Sequence, residues 1–172
     1  MSRIELNQEE VQRKLWAEIR ENRFGMLGLA DDARQLQPMV AFAEPHERAI
    51  WFFVRRDSDL ARAAADGGEG VFVVQSRDRD LQACISGELT VLHDQGRIDR
   101  YWSAGVAAWF PDGREDPQLT LLRLNASRGE VWLSRAGPVR MAWEIAKANL
   151  THSEPDVGER RSLDLGGGGL GR

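Results

Sequence analysis

The segment Trp51-Phe52-Phe53-Val54-Arg55-Arg56-Asp57-Ser58 concentrates the side chains of this sequence that are best suited to bind an anion. It runs from a predicted strand into the start of a short predicted helix, where backbone N–H groups lack partners and carry a partial positive charge. Ser58 adds a hydroxyl group, and Arg55, Arg56 and Arg62 add positive charge nearby. The pattern favours a phosphate site, but solvated arginines beside an ordinary Ser58 helix cap would give the same sequence, so both interpretations stay open.

Two other segments have an unusual composition. Gln37-Pro38-Met39 lies within a predicted strand, and Pro38 cannot donate a hydrogen bond to a neighbouring strand. This proline predicts an edge strand or a place where the sheet parts. The segment from Trp109 to Pro117 is rich in aromatic residues and prolines, which is typical of an interface or of a plug in the core.

Standard signatures of catalysis and metal binding are missing from the sequence. His46, His93 and His152 lie far apart and lack the spacing of a metal site. There is no G-x-S-x-G motif, no P-loop and no G-x-G-x-x-G after a strand. A protein without a catalytic constellation commonly takes its chemistry from a cofactor or has none. We therefore assign no catalytic residue and expect no metal.

Periodicity and turn signals predict a mainly β domain of the α+β class. Apolar residues at helical spacing follow an Asn7–Glu10 capping box, and the later segments alternate with glycine and proline turns. The predicted helices are Gln8 to Asn22, Asp59 to Ala65, Gln95 to Ala108 and Pro138 to Leu150. The predicted strands are Phe24 to Ala30, Leu36 to Glu44, Ala49 to Val54, Val71 to Gln75 and Leu81 to Leu92, followed by a last hairpin of Leu119 to Leu124 and Glu130 to Leu133.

The same patterns predict one domain with a short tail. Residues 1–165 form the domain, and residues 166–172, which contain the Gly166 to Gly169 run, form a disordered tail. Gly87 predicts a bend or bulge within its strand. The side chains expected to contribute mainly to the core are Met26, Leu27, Val40, Phe52, Val73, Ile85 and Leu122.

Composition excludes several classes of function. Of the 172 residues 42% are hydrophobic, which is enough for a core, and 27 acidic against 23 basic residues give a formal charge of −4. This balance offers no general attraction to nucleic acid or to anionic membranes. A single cysteine, Cys84, excludes an internal disulfide and is expected to be buried and inert. Without a secretory signal or a membrane-length apolar run, the cytoplasm is the expected compartment.

The ordered set of motifs resembles the pyridoxamine 5′-phosphate oxidase-like split-barrel flavoproteins, and in particular their general stress protein branch. The resemblance runs from about Gln8 to Leu165, and no single motif carries it alone. The residues that carry it are Gly25-Met26-Leu27, Pro38-Met39, Trp51-Phe52-Phe53 leading to Ser58, Ser86-Gly87-Glu88, and Trp109-Phe110-Pro111-Asp112-Gly113 with Asp116-Pro117.

The resemblance implies a six-stranded antiparallel split β-barrel with peripheral helices, a homodimer, and FMN in the groove between the subunits. FAD or deazaflavin could replace FMN, whereas haem ranks lowest. Carried over by position, Phe53, Val54 and Ser58 would line the ribityl-phosphate end. Gln82 would reach the flavin from the partner subunit, and Trp109 would lie near the dimer groove.

Two departures from the family pattern concern the phosphate. The family often has an arginine where this chain has Gln37 and a lysine where it has Leu60. Losing two charged hydrogen bonds would cost roughly 3–6 kcal/mol of binding unless another arginine near the helix start replaces the charge. The leading hypothesis is a stress-related, FMN-dependent oxidoreductase or flavin carrier. The alternative is a non-catalytic, dimeric split-barrel binding protein that has weakened or lost flavin binding.

Overall fold

The structure, a computed structural model, describes residues 7–31, 36–134, 138–151 and 158–166. Its helices are α1 (Gln8–Asn22), α2 (Asp59–Ala65), α3 (Gln95–Tyr101), α4 (Ala104–Ala107) and α5 (Pro138–Thr151), with 3-10 turns at Pro45–Glu47 and Gly113–Glu115. Its strands are β1 (Phe24–Leu29), β2 (Gln37–Val40), β3 (Phe42–Glu44), β4 (Ala49–Arg55), β5 (Glu69–Gln75), β6 (Leu81–Leu92), β7 (Leu119–Ser134) and β8 (Gly158–Asp164). None of the helices in these ranges is long and apolar enough to cross a membrane.

All strand pairs are antiparallel, and the strand order is β2-β1-β5-β6-β7-β4-β3, with β8 added beside β7. The first and last strands of this order, β2 and β3, are separated in sequence only by Ala41. One short piece of chain therefore holds both ends of the sheet and curls it into a barrel that stays open between β2 and β4. The predicted split barrel is confirmed, but the described chain has eight strands rather than six.

The strand boundaries differ from the prediction in two places. The predicted strand Leu36 to Glu44 divides because its first half pairs with β1 and its second half with β4. The predicted last hairpin was wrong, since β7 is one strand of 16 residues. Its first half pairs with β4 and its second half with β8, while β6 runs along the other side of both halves. The sequence pattern predicts no strand after Thr151, so β8 is an addition to the predicted fold.

The helices follow their local signals closely. The capping box of α1 is present, with the Glu10 N–H donating to Asn7 Oδ1 at 2.9 Å and the Asn7 N–H donating to Glu10 Oε2 at 2.8 Å. The predicted helix Gln95 to Ala108 is broken at Trp102, because Ser103 starts a new helix by accepting the N–H of Val106. The tail prediction falls mostly outside the described residues, which end at Gly166.

The barrel interior holds the larger of two apolar clusters. It joins the buried face of α1, with Leu15 and Ile19, to the inner side of the sheet. Predicted core residues Leu27, Phe52, Ile85 and Leu122 are fully buried there. The prediction was wrong for three others: Met26, Val40 and Val73 are 38%, 39% and 38% exposed. They occupy the alternate strand positions, which point to the opposite side of the sheet.

These three residues belong to an apolar outer face of the sheet. Register places Phe24 opposite Val40, and Met26 opposite both Pro38 and Val73. The same side of the sheet continues through Cys84 and Gln82 on β6 to Trp132 on β7. We call Phe24, Met26, Val40, Val73, Gln82, Cys84 and Trp132 the outer face. Cys84 is half-buried here rather than buried, and desolvation together with the nearby Glu130 carboxylate raises its thiol pKa.

Candidate functional site

The opening between β2 and β4 forms a groove of about 840 Å³. Phe42 pairs with Trp51 at the point where β3 meets β4, and from there β2 and β4 diverge. The groove therefore has a closed end near Phe42 and an open end near Ser58. Its remaining walls come from the α1–β1 junction and from the segment that includes α4, and the lining includes Phe24, Ser103, Gly105, Val106 and Phe110.

All but two of the predicted binding residues line this groove. They come from β2, from the end of β4 and its junction with α2, and from the segment after α4: Gln37, Pro38, Met39, Phe53, Val54, Arg55, Ser58 and Trp109. Pro38 lies on an edge strand, as its chemistry requires. Because β2 pairs only with β1, its other edge offers backbone N–H and C=O groups to a ligand.

Ser58 and Arg55, two of the side chains predicted to bind an anion, lie at the open end of the groove, and both already have a hydrogen-bond partner within the protein. Ser58 caps α2, its Oγ accepting the Ala61 N–H at 3.1 Å, and its hydroxyl hydrogen remains able to donate. Arg55 lines the groove, but its Nε and Nη2 donate to the two carboxylate oxygens of Asp57 at 3.0 and 2.9 Å. That pairing raises the pKa of Arg55 and lowers the pKa of Asp57. Most of the arginine's charge is therefore already balanced.

The other candidate arginines do not enter the groove. Arg62 forms an exposed ion pair with Asp59 at 2.6 Å, on the solvent side of α2. Arg56 is exposed, and neither it nor Arg62 is among the lining residues. Leu60, at the position where the family that the sequence resembles often has a lysine, is buried in the main apolar cluster. A lysine at this position would enter the core rather than restore a phosphate ligand.

Aromatic side chains form the wall behind the groove. The Phe53 ring meets Phe42 edge-on at 5.5 Å and lies 6.4 Å from Trp102 and 6.5 Å from Phe110, measured between ring centroids. These contacts fix Phe53 as a flat apolar surface. Within the segment predicted to be an interface or core plug, Phe110 is buried, whereas Trp109 is 72% exposed and lines the groove.

Two lining residues were missed by the sequence analysis. Arg23 ends α1 in the left-handed conformation (φ 60°, ψ −14°), and its guanidinium carbon lies 5.5 Å from the Phe42 ring centroid. Arg77 lies in the turn between β5 and β6 and reaches the groove beside the end of α1. There, Asn22 Nδ2 donates to the Gln75 carbonyl at 2.8 Å. Neither arginine belongs to a local motif, so only the topology identifies them.

Gln82 lies outside the groove of its own subunit. It occupies the outer face between Gln75 and Trp132, and its Nε2 donates to the Arg79 carbonyl at 2.7 Å. Its expected role toward a partner subunit stays a prediction.

Two of the three histidines lie in the described ranges, and neither is buried in a pocket-lining position. His46 and His93 are exposed, and His152 lies outside the described residues. Within the ranges that the structure describes, no three His, Cys, Asp or Glu side chains could hold a metal ion together.

Comparison with known proteins agrees with this geometry. The family model described as pyridoxamine 5′-phosphate oxidase like matches residues 10–156. A structure described as a general stress protein 26 from Jannaschia sp. CCS1 is 32% identical, with a TM-score of 0.73, covering 92% of this chain and 99% of that one. The general stress FMN/FAD binding protein from Xanthomonas citri is 36% identical, with a TM-score of 0.68, covering 75% and 92%.

A general stress family protein from Xanthomonas campestris is similar at 35% identity, with a TM-score of 0.69 over 77% of this chain and 93% of that one. No curated protein matches the chain. The family match spans most of the sequence. The three structures have a similar fold, and they come from the same group of proteins that the motifs indicate. The chain belongs to the pyridoxamine 5′-phosphate oxidase-like family, in its general stress protein branch.

Proposed function

We propose that the chain binds FMN in the groove between β2 and β4 and acts as a stress-related, flavin-dependent oxidoreductase or flavin carrier. The observation that carries the proposal is the groove itself, because its volume, apolar wall and polar open end suit a flat ring with a phosphate tail. The similar protein from Xanthomonas citri, described as an FMN/FAD binding protein, supports the same ligand class. A bound flavin would supply reversible hydride and single-electron chemistry.

The chain's own residues have separate tasks in this proposal. Phe53 and Val54 line the ribityl-phosphate end, Met39 provides apolar contact for the ring, and the free edge of β2 offers hydrogen bonds to the polar rim of the ring. Ser58 donates its hydroxyl to the phosphate. Arg55 adds the charge that it does not share with Asp57. Trp109 covers the rim and reduces the access of water.

The phosphate end can be tested with two substitutions of opposite effect. Ser58→Asp keeps the α2 cap but puts a carboxylate beside the phosphate, and we expect FMN affinity to fall at least about tenfold, or about 1.4 kcal/mol. Asp57→Asn releases Arg55 from its ion pair, and we expect FMN affinity to rise by about threefold to tenfold. Titrations followed by quenching of flavin fluorescence measure both changes.

Riboflavin provides the control ligand because it lacks the phosphate. Its affinity should change by less than about twofold in either variant, since a change of that size is well under 1 kcal/mol. Equal changes for FMN and riboflavin would place the phosphate elsewhere. Failure of the unmodified protein to take up any flavin would reject the proposed function.

We also propose that the functional unit is a homodimer formed through the outer face. Phe24 and Val40 belong both to this face and to the groove lining, so a second subunit seated here would close the side of the groove. Gln82 lies on the same face, which suits its expected reach toward the partner's flavin. An exposed apolar patch of this kind is typical of a protein interface.

A charge placed on the outer face should separate the subunits. We expect Met26→Arg to convert a dimer into a folded monomer in light scattering at micromolar concentration, and to weaken FMN binding by removing the partner's wall. The matched control is Leu92→Arg, because Leu92 is equally exposed but lies at the far end of β6, outside the outer face. A monomeric unmodified protein, or a Met26→Arg protein that stays dimeric, would contradict the proposed interface.

The alternative is a dimeric binding protein with weakened flavin affinity and no catalytic activity. The observation that favours it is the shortage of free positive charge at the open end, because Gln37 is neutral, Leu60 is buried and Arg55 is paired with Asp57. The visible absorption spectrum of the purified protein separates the two functions at the first step. Flavin that is retained through purification supports the leading proposal, whereas flavin bound only at high concentration supports the alternative.

A further inference from the structure

The helix α5 lies in the connection between β7 and β8. Ser134 and Gly158 are the last residues that pair these two strands, and α5 is inserted between them in the sequence. Its 14 residues give it a length of about 21 Å. The helix is therefore long enough to extend well beyond the end of the β7–β8 pair.

One side of α5 is apolar and exposed. The side chains that the structure describes on this helix, 142, 143 and 145–150, are all exposed apart from the half-buried Ala148. Trp143 and Leu150 are 67% and 82% exposed. Together with Ala146 they follow the spacing i, i+3, i+7, which places the three residues on one side of the helix. We call Trp143, Ala146 and Leu150 the α5 stripe.

A helix of this length needs a packing partner. Isolated helices of about 14 residues are marginal in water, and most helices in proteins are stabilised by packing of their apolar side. Single exposed apolar residues are normal on a protein surface, but a tryptophan and a leucine on one side of a helix form a patch. Among the residues that the structure describes, none buries this patch.

The α5 stripe is too small to form an interface alone. Full burial of a tryptophan removes roughly 150–250 Å² from water, and a leucine contributes less. A stable interface needs about 800 Å² from each partner. The stripe must therefore extend a larger apolar surface.

The outer face is the larger surface that adjoins α5. Trp132 lies on the outer face next to Gln82, and β7 ends two residues later at Ser134. Outside α5, most of the large exposed apolar side chains in the described residues lie on the outer face: Phe24, Met26, Val40, Val73 and Trp132, with Leu92 and Trp109 elsewhere. A second subunit seated on the outer face would therefore lie beside the start of α5.

A membrane surface suits α5 less well than a second subunit does. Helices that bind at a membrane surface are usually rich in lysine and arginine on their polar side. The sequence of α5 contains Arg140 and Lys147 against Glu144, and the whole chain has a formal charge of −4. Neither charge gives a strong attraction to anionic lipids.

We propose that α5 of each subunit crosses the end of the outer face and packs the α5 stripe against the second subunit of the homodimer. In a two-fold symmetric dimer this contact forms twice, so two helices extend one interface on both sides. The inference rests on the proposed homodimer and adds the segment that holds the subunits together. It also gives the exposed tryptophan and leucine of α5 a partner.

Thiol reactivity tests whether a second subunit covers the stripe. Cys84→Ser removes the one cysteine of the chain, and Ala146→Cys or Asn149→Cys then places a thiol on the stripe or, as the matched control, beside it on the same helix. In the dimer we expect a maleimide to react at position 146 at least about tenfold more slowly than at position 149, the ratio that a contact of about 1.4 kcal/mol gives. In the monomer, obtained by dilution or with Met26→Arg, the two rates should agree within about threefold.

Sedimentation velocity over a dilution series tests the same contact in a chain that keeps Cys84. We expect Trp143→Glu/Leu150→Glu to raise the dissociation constant of the dimer at least about tenfold, because apolar contact is lost and charge is buried at the interface. The control Asn149→Glu adds charge to the same helix outside the stripe and should change the constant by less than about twofold. All three side chains are exposed within one subunit, so the variants should keep the circular dichroism of the unmodified protein.

The possible failures are distinguishable. A protein that is monomeric at every concentration would reject the proposed homodimer, and this inference with it. A dimer whose two introduced thiols react equally fast would leave the homodimer in place and reject the α5 contact. Protection at position 146 that appears only with vesicles of phosphatidylglycerol and phosphatidylcholine would assign the stripe to a membrane instead. If Cys84→Ser does not dimerise, the sedimentation comparison decides.

Discussion

Replacing Gly87 by alanine is expected to lower the free energy of unfolding by about 3 kcal/mol or more. A Cβ atom at this position would lie 1.8 Å from the carbonyl oxygen of Asn125 and 2.7 Å from its carbonyl carbon. Both atoms belong to the backbone of β7, so a side-chain rotation cannot relieve the clash. Urea unfolding followed by tryptophan fluorescence measures the loss.

Gly96→Ala is the matched control for this substitution. Gly96 lies in α3, and the nearest atom to its added Cβ would be Asp94 Oδ1 at 3.4 Å, an ordinary contact. Alanine favours a helix, so we expect this change to stabilise the protein by about 0.5–1 kcal/mol. A Gly87→Ala protein within about 1 kcal/mol of the unmodified protein would show that the two strands can separate easily, contrary to the structure.

The large effect at Gly87 follows from its place in the barrel. The β6–β7 register shifts between Ser86, which lies opposite Arg128, and Gly87, which lies opposite Ala126. The extra residue is therefore on β7, and a bulge of this kind bends the strand that carries it. On one side of the shift β7 pairs with β4, and on the other it pairs with β8. The bend therefore allows one long strand to serve two parts of the sheet, and it sets the direction of β4, which is one wall of the groove.

Local signals in the sequence were sufficient for the parts of the fold that are stabilised locally. The bounds of α1 were predicted to the residue because its start is fixed by the Asn7–Glu10 capping box. The bounds of β6 were also correct, since turn residues flank it. Between Asn125 and Gly129 the residues favour a turn, yet pairing with β6 keeps this stretch within β7. That pairing is a long-range effect that no local pattern contains.

The incorrect core predictions have a related cause. Strands β1, β2 and β5 carry apolar side chains on both sides, so hydrophobicity does not show which side faces the interior. Leu27 and Phe72 face inward, whereas Met26 and Val73 face outward. The alternation that normally separates the two sides is lost where the outer side is apolar as well. The same loss of alternation marks the surface that we propose for dimerisation.

The residues of the candidate site also fall into those that local motifs predict and those that only the structure identifies. Ser58, Arg55 and the β2 residues come from short motifs, and the sequence predicted them. Arg23 and Arg77 come from two turns that are far apart in the sequence, and only the curling of the sheet brings them to one groove. The pairing of Arg55 with Asp57 was also not foreseen, although the two residues are close in sequence. Whether an arginine near a site is free to bind an anion depends on its ion-pair partners, and the structure identifies these partners.

A second large effect is expected at Arg97, which joins α3 to the 3-10 turn after β3. Its guanidinium donates to Glu44 at 3.1 Å, to Glu47 at 2.6 Å and to Asp94 at 2.8 Å. It also lies over the Trp51 ring, 4.4 Å from the centroid. Glu44, whose side chain is only 10% exposed, accepts a further hydrogen bond from the Tyr101 hydroxyl at 2.6 Å.

We expect Arg97→Leu to destabilise the protein by about 3 kcal/mol at neutral pH, the low end of the cost of removing one partner of a buried ion pair, because Arg100 and Tyr101 still contact Glu44. Arg100→Leu on the same helix is the control. Arg100 also contacts Glu44, at 3.1 Å, but its side chain is 65% exposed. An exposed ion pair contributes at most about 1 kcal/mol, so this second change should be small. Thermal and urea unfolding of both variants give the comparison.

The pH dependence of the Arg97→Leu effect identifies its cause. Burial acts to raise the pKa of Glu44, but the hydrogen bonds from Tyr101 and Arg97 outweigh it and hold the pKa below the ordinary value of 4.5. A carboxylate with a lowered pKa stabilises the folded state above its unfolded pKa, and that contribution is lost as the pH falls through the folded pKa. The difference in stability between the unmodified and Arg97→Leu proteins should therefore be largest near neutral pH and should shrink below about pH 4.5.

Asp94 contributes to the same pH dependence, but only in part, because the Arg97 side chain is not the main cause of its lowered pKa. The backbone N–H of Arg97 is the first cause that lowers its pKa, and leucine keeps that N–H. A loss of stability that stays constant from pH 7 down to about pH 3 would mean that packing against Trp51 outweighs the charge on Glu44. A loss that shrinks with acid would show that the ion pairs hold α3 in place. Since Tyr101 on α3 packs against Phe42, 4.7 Å between ring centroids, the same ion pairs would then also fix the closed end of the groove.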